Sequence, residues 1–402
     1  MIDVQELRDC YVQTPSKVLM LVVDGLGGLP HPDTKRSELE TAHIPNLDAL
    51  AQESACGLTT PVLPGVAPGS GPGHLALFGY DPLKYLIGRG VLEALGIEVE
   101  LGPGDVAARG NFCTVDAAGR VTDRRAGRIP SEESFPLVER LAALREVDGV
   151  QALAYPVKDY RFVLVLRGRA LSDRLTETDP GRTGEAPLPV RAQAPEAEAT
   201  ARAANAWVAR ARDALRDHPR ANMVLLRGWS QLPHLPPMGE VYRLDPACIA
   251  AYPMYRGVAR VVGMRVIPTG ATFDDEVATL EQHWAAHDFF YLHYKPADAA
   301  GEDGDFDAKV AALEALDRFI PRLRALGPDV LLVCGDHATP ALLAAHSWHP
   351  VPVLLHSRWT RGEGVSGFNE RACAQGSLGR LPAVNVMLLA LAHAGKLAKY
   401  GP

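Results

Sequence analysis

Two unbroken apolar runs constrain this chain most: "KVLMLVVDG" at residues 17–25 and "DVLLVCGDH" at 329–337. Neither alternates polar with apolar residues, so each strand must be covered on both faces, as in a parallel sheet carrying helices on either side. Shorter runs of the same kind, "RFVLVLRG" (161–168) and "NMVLLRG" (222–228), add further strands. Between them lie helical patterns. Val310, Leu313, Leu316, Ile320 and Leu323 recur at three-to-four spacing in "FDAKVAALEALDRFIPRLRAL", and Leu137, Leu141 and Leu144 do so in "SFPLVERLAALREV". The stretch "AVNVMLLALAHA" (383–394) is too short to span a bilayer and reads as a buried terminal helix. The fold expected is α/β: a central, mostly parallel sheet sandwiched by helices, with a smaller α/β domain inserted into it.

With 402 residues, 47% of them hydrophobic, the chain can bury one large core or two moderate ones. Acidic and histidine clusters are dense up to about residue 90, thin out, and resume near 255. The core domain is therefore expected over 1–95 and 250–402 and the insert over 96–249, to within about ten residues. Hinges are expected near 88–104, where "IGRG" and "LGPGD" supply glycine, and near 228–257. The Pro-, Ala- and charge-rich segment 178–205 is expected to begin as a flexible excursion.

The net charge of −7 argues against wide nucleic-acid binding. "MIDVQELRDC" lacks the basic-then-apolar order of a secretion signal, no segment suits membrane insertion, and six scattered cysteines without CxxC spacing read as reduced thiols. The cytoplasm is the expected compartment.

In open α/β sheets ligands bind beyond the carboxyl ends of strands, so Asp24 and the Asp336-His337 pair, both at strand tips, can converge on one site. Taken singly, each Asp reads equally well as a turn former or a helix cap. Asp298 and Glu302, four apart, share a face if that segment is helical, and His346 and His349 follow in "AAHSWHPVPVLL". Such carboxylates and imidazoles are ligands for a divalent cation. A calcium loop starting at Asp303 fails, because Ala308 stands where that loop needs glycine. In "GVAPGSGPGHLALFGYDP" (65–82), Ser70 sits between glycines at the start of a helix. It is either the cap of that helix or, beside free N–H groups that suit phosphate, a nucleophile activated by a divalent cation.

In order along the chain, "VVDGLGG", "LETAHIPNLDALA", "PGSGPGHLALFGYDP", "GRGVLEALG", "DVAARGNF", "TDRRAGR", "CGDHATP" and "HSWHPVPVLL" resemble the archaeal-type branch of cofactor-independent phosphoglycerate mutases, within the alkaline phosphatase superfamily. The resemblance implies an alkaline-phosphatase-like core and a substrate-holding insert. It also implies metal-dependent exchange of 3- and 2-phosphoglycerate through a phosphoserine at Ser70, in glycolysis and gluconeogenesis, without added 2,3-bisphosphoglycerate. Two ions are implied, manganese first, with magnesium or cobalt as alternatives. One would be held by Asp24, Ser70, Asp336 and His337, the other by Asp298, Glu302 and His346.

Two positions depart from the family pattern. Glu302 replaces a histidine, which as a harder donor favours magnesium or manganese, with Asp303 or Asp305 as alternative donors. Arg256, in "PMYRGVARVVGM", replaces a lysine. A substrate bearing phosphate and carboxylate calls for cations, and "TDRRAGR" offers Arg124, Arg125 and Arg128, with Arg161, Arg227 and Arg256 as further choices. His74, four residues after Ser70, either packs on the helix face or joins these as a substrate contact. The competing readings are a phosphatase or phosphotransferase of the same superfamily acting on another small phosphorylated hydroxy acid, and a catalytically inactive metabolite-binding relative. A P-loop kinase is disfavoured because no GxxxxGK[ST] occurs.

Overall fold

The computed structural model describes residues 4–361 and 364–401. The chain divides into two units, residues 1–86 with 235–402, and residues 87–234.

The first unit is built on an eight-stranded sheet. Its order is β10 (Arg265–Val266), β9 (Pro246–Ile249), β11 (Phe289–Tyr294), β1 (Val18–Val23), β12 (Val330–Cys334), β13 (Val351–Ser357), β2 (Ala55–Thr60) and β14 (Gly379–Pro382). All neighbours are parallel except the pairings of β13 with β12 and with β2. Every residue of β1 and β12 is buried, as their unbroken apolarity requires. From β1, Leu19, Leu21 and Val23 enter a core with α2 (Pro45–Gln52), α9 (Phe273–His283), α11 (Phe306–Asp317) and α12 (Ile320–Ala325). The short α1 (Glu38–Thr41) begins with a capping box between Ser37 and Glu40 and packs on α11. Also in this unit, α14 (Val384–His393) packs against β12, β14 and α3 (Ser70–Leu77), and α3 packs on α8 (Pro253–Val261). α13 (Glu370–Cys373) adjoins β2 and β13.

The single helical pattern read over 306–326 divides into α11 and α12. Pro321 is the cause, because its ring would meet the carbonyl four residues back, at Asp317. The freed end is put to use: the Asp317 carboxylate accepts from the backbone N–H groups of Asn46 (3.2 Å) and Leu47 (2.7 Å), which open α2. The chain ends lie side by side, with Tyr11 bridged to Leu397 and Val12 N–H donating to the Lys396 carbonyl at 3.0 Å.

The second unit carries a six-stranded antiparallel sheet ordered β4 (Val121–Asp123), β3 (Val106–Val115), β7 (Arg161–Arg167), β6 (Val150–Lys158), β5 (Glu146–Val147), with β8 (Met223–Gln231) also pairing β3. Its core gathers around the fully buried Trp207 of α6 (Glu198–Leu215), with Leu137, Val138 and Leu141 of α5 (Ser131–Ala142). The segment expected to wander has no regular element until a 3-10 turn at Pro195–Ala197. It is nevertheless anchored, since Thr178 N–H donates to the Leu226 carbonyl at 3.0 Å and the Thr178 hydroxyl accepts from Leu226 N–H at 2.7 Å.

The units divide at 86/87 and 234/235, whereas the sequence placed the divisions at 95/96 and 249/250. Helix α4 (Arg89–Gly96) packs on β3 and β8 and so belongs to the second unit. Helix α7 (Met238–Tyr242), whose Tyr242 hydroxyl donates to the Phe78 carbonyl, and β9, paired with β11, belong to the first. No helix among the described residues is long and apolar enough to cross a membrane.

Candidate active site

Strands β11, β1 and β12 are adjacent and parallel, so their carboxyl ends open at one edge. Asp24 follows β1 directly, Asp336 and His337 follow β12, and Asp298 lies in α10 (Pro296–Glu302), just beyond β11. All four side chains are fully buried. His337 Nε2 is 3.4 Å from Asp24 Oδ1 and 3.1 Å from Asp336 Oδ2, and its Nδ1 is 3.9 Å from Asp298 Oδ1. His346 Nε2 stands 3.7 Å from Asp298 Oδ1 and 3.6 Å from Glu302 Oε1. Convergence this close needs backbones stripped of side chains. A Cβ on Gly25, whose φ is +67°, would meet Thr339 Oγ1 at 2.7 Å, and one on Gly73 would meet the Asp336 carbonyl oxygen at 2.2 Å.

Ser70 is the first residue of α3, after Gly69 in the cap position, and its hydroxyl makes no capping bond. Instead Ser70 Oγ lies 3.2 Å from His337 Nε2. Hydrogen bonding fixes how the imidazoles present themselves. Thr339 Oγ1 donates to Asp298 Oδ1 (2.6 Å), so at 3.0 Å it accepts from His337 Nδ1–H and leaves the Nε2 lone pair facing Ser70, Asp24 and Asp336. His346 Nδ1–H donates to the Pro68 carbonyl (2.9 Å), which turns Nε2 toward Asp298 and Glu302. His74, grouped by sequence with the substrate contacts, is fully enclosed. Its Nδ1–H donates to the Ser70 carbonyl (2.8 Å) and lies 3.2 Å from Asp336 Oδ2.

Three groups around the site were not singled out from sequence. His293, near the end of β11, approaches Asp24 Oδ2 at 3.2 Å with Tyr255 of α8 stacked on its ring. The Lys295 ammonium bonds to Asp298, lies 3.2 Å from Asp24 Oδ2 and donates to the Tyr255 hydroxyl at 3.1 Å. Thr339 is the third. A basic residue three before Asp298 in "HYKPAD" was the available signal for Lys295; Thr339 had only its place after "GDH".

Burial and the Asp336 charge push the Asp24 carboxyl up, yet the Lys295 ammonium and the His293 hydrogen bond outweigh them and hold it down at about 2. Burial likewise opposes ionisation of Asp336, and His74, 3.2 Å away, acts to hold it below the usual range. Burial and the charge of Asp24 push Asp298 up. Burial pulls His293 down to about 4. For His346 burial is overcome by the bond to Glu302 and by the Pro68 carbonyl, which lift it to about 9.

A divalent cation suits this donor set. Asp24 Oδ1 and Asp336 Oδ2 are buried without a hydrogen-bond partner, an arrangement that calls for an ion. Two trios, Asp24 with Asp336 and His337, and Asp298 with His337 and His346, each bring their ligand atoms within 4.8 Å of one another. Hard oxygens with imidazole nitrogen are the ligands of magnesium, manganese and zinc-like ions. Glu302 is exposed and bonded to His346, at the margin of the second trio. Asp305 caps α11 by accepting from Ala308 N–H, and Asp303 is exposed. His349 bonds to Ser347 Oγ at 3.0 Å, under a stacked Trp348.

In the second unit, β-register gathers guanidinium groups. Arg109 of β3 lies directly across from Arg227 of β8, and Arg161 of β7 lies across from Asn111, two residues along the same face of β3. Burial and the charges of Arg89, Arg161 and Arg227 pull the Arg109 guanidinium down to about 10, against the Glu93 carboxylate 3.8 Å away. Arg124 forms a two-pronged pair with Asp179 (2.8 Å each), and Arg227 approaches the same carboxylate at 3.5 Å. Arg125 and Arg128 are exposed on the turn after β4. Arg89 and Arg109 were missed in the sequence, where nothing local marks a cross-strand partner. In the first unit, Arg256 is half-buried on α8 beside Tyr255.

The profile of the family described as 2,3-bisphosphoglycerate-independent phosphoglycerate mutase matches residues 51–221. Probable enzymes of that name are similar over nearly the whole chain. One from Thermus thermophilus is 51% identical over 399 residues, 98% of each chain, and one from Thermotoga neapolitana is 49% identical over 403 residues, 100% of each. Among solved structures, a Pyrococcus horikoshii protein is similar with a TM-score of 0.83 at 27% identity, covering 96% of this chain and 99% of its own. A cofactor-independent phosphoglycerate mutase from Thermoplasma acidophilum is similar with a TM-score of 0.70 at 30% identity, covering 94% and 100%.

Proposed function

The chain belongs to the 2,3-bisphosphoglycerate-independent phosphoglycerate mutases, and we propose that it interconverts 3- and 2-phosphoglycerate through a phosphoserine at Ser70. The observation that carries the assignment of Ser70 is its hydroxyl, which lies 3.2 Å from His337 Nε2 while Gly69 holds the cap position of the helix. Asp24, Ser70, Asp336 and His337 would hold one divalent cation, and Asp298, His346 and Glu302 a second. Manganese is the first choice over magnesium or cobalt, and when bound the ions would acidify the hydroxyl and neutralise the phosphoryl oxygens.

In the forward direction Ser70 Oγ attacks phosphorus, the bond to the substrate's 3-oxygen breaks, and that oxygen ends with a proton while the serine hydroxyl loses one. Glycerate then presents its 2-hydroxyl, which takes the phosphoryl group back and restores the serine. No 2,3-bisphosphoglycerate enters this sequence. His74 holds the Ser70 carbonyl and Asp336 in place, and Lys295 offsets the charge of Asp24 and Asp298. The second unit's guanidinium groups, Arg109, Arg161 and Arg227 with Arg89 and Arg124 nearby, suit the carboxylate and phosphate of the substrate, and their mutual repulsion is relieved by an anion. Free cysteines fit a cytoplasmic, glycolytic setting.

The test is a coupled assay of 3-phosphoglycerate with Mn2+ or Mg2+, without 2,3-bisphosphoglycerate, run beside Ser70→Ala with free phosphate monitored. Metal-dependent 2-phosphoglycerate that vanishes in the variant is expected. Phosphate release alone would make this a phosphatase, and no turnover with any metal would point to a non-catalytic relative.

A further inference from the structure

We propose that Lys309 is a positioning residue whose buried ammonium fastens together the two loops that carry the metal ligands. The inference rests on the metal-centre reading above. Lys309 lies in α11 and is fully buried. An ammonium has three protons to donate, and here all three go to backbone carbonyls: Gly25 at 2.9 Å, Gly27 at 2.9 Å and Thr339 at 2.8 Å. Gly25 directly follows Asp24, and Thr339 lies two residues after His337. One side chain thus ties the tip of β1 to the tip of β12.

The loops it joins are already at their closest approach. Leu26 and Gly27 bridge Ala338, and a Cβ on Gly301 would come within 2.3 Å of the Thr339 carbonyl oxygen that Lys309 holds. The Thr339 hydroxyl then passes the constraint on to Asp298 and to His337 Nδ1. The counter-charge is Glu38, 4.0 Å away, whose carboxylate accepts from Leu29 and Ala341 N–H and so grips the same two loops further out. An aliphatic side chain would fill this volume, yet it would leave the Gly25 and Thr339 carbonyls unpaired and the ligand loops tied here only by the backbone bond from Thr339 N–H to the Gly27 carbonyl at 3.1 Å.

The chain supplies its own control. Lys396 is buried to the same degree and donates to the Thr14 carbonyl (2.7 Å) and Asp288 (2.9 Å), where it joins the chain ends. Mn2+ affinity is measured by isothermal titration calorimetry, with unfolding of the metal-free proteins, for wild type, Lys309→Met, Lys309→Gln and Lys396→Met. The expected result is a loss of roughly 10–100-fold in Mn2+ affinity on Lys309→Met, a smaller loss on Lys309→Gln, which keeps two donors, and none on Lys396→Met. At saturating Mn2+, kcat falls in the Lys309 variants with KM unchanged. Unaltered Mn2+ affinity in folded Lys309→Met overturns the proposal. Should Lys309→Met not fold, Lys309→Gln is judged by the same measure, and failure of both to fold overturns it too, leaving Lys309 a folding residue. If wild type itself takes up no Mn2+, the metal-centre reading fails first and this inference falls with it.

Discussion

The two units gather charge of opposite sign on opposite kinds of backbone. In the first, parallel strands deliver Asp24, Asp336 and His337 into loops, and Asp298 into the start of α10, at one sheet edge, fully buried and held by Thr339, His74 and His293. In the second, antiparallel register sets Arg109 across from Arg227 on the face of a sheet. Loop tips can crowd donors around a point, as ligation of an ion demands, but they need glycine and outside ties to stay there. A strand face spreads charge over several residues on a rigid ladder, which suits a polyatomic anion. Both clusters are partly balanced within the chain, the acids by Lys295 and the arginines by Glu93, Glu177 and Asp179.

The sharpest way to break this division of labour is Ser70→Ala. Turnover should fall on the order of 10⁴-fold or more, while anion binding by the second unit persists; residual activity within about tenfold of wild type would remove the serine from the chemistry.

Next comes a buried carboxylate of the first unit whose shift is set chiefly by burial. Burial lifts Glu276 of α9 to about 8. Its native form therefore binds more protons than the unfolded chain between about 4.5 and 8, so stability falls as pH rises through that window. Replacement by Gln should flatten that loss by about 3 kcal/mol. Urea unfolding at pH 5 and pH 8 measures it, and equal slopes in both proteins would mean that burial is not what distinguishes Glu276 from the cation-paired acids.

Arg109→Gln probes the other side. It should raise KM for 3-phosphoglycerate roughly 10–100-fold with Mn2+ affinity unchanged, as expected for a charge-assisted contact to an anion. A fall in Mn2+ affinity instead would erase the contrast between the units. The smallest effect is expected from Glu302→His, which replaces an oxygen donor with nitrogen and should move the Zn2+-to-Mn2+ affinity ratio upward by about tenfold in competition titrations. An unchanged ratio would place Glu302 outside the second metal site.

How much of this was readable beforehand depends on how local the signal was. β1 and β12 announce themselves through six and five consecutive buried apolar residues, and their terminal acids mark the site edge. Ser70 is visible because it stands in a glycine-rich helix start, where Gly73 lets the backbone come against Asp336. The arginine face is invisible because it exists only once β3, β7 and β8 pair in one register, and "TDRRAGR" drew attention to a turn whose Arg125 and Arg128 are exposed. Lys309 hides for another reason. Within an amphipathic repeat, a lysine beside Val310 reads as solvent-facing, whereas its ammonium reaches three carbonyls in the interior. The first unit division falls within the ten residues allowed, and the second lies further off because α7 is joined to Phe78, remote in sequence.

The place of β1 in its sheet also sets a schedule for synthesis. Its partners β11 and β12 begin at residues 289 and 330, whereas the second unit is one continuous stretch from 87 to 234. At about 5–20 residues per second, a ribosome emits β1 some tens of seconds before either partner exists. The insert can fold in that interval, while the first strand, with Ser70 a short way behind it, waits as an unpaired apolar segment. Asp24 and Ser70 thus precede their partners Asp336, His337 and His346 by more than half the residues of the sequence.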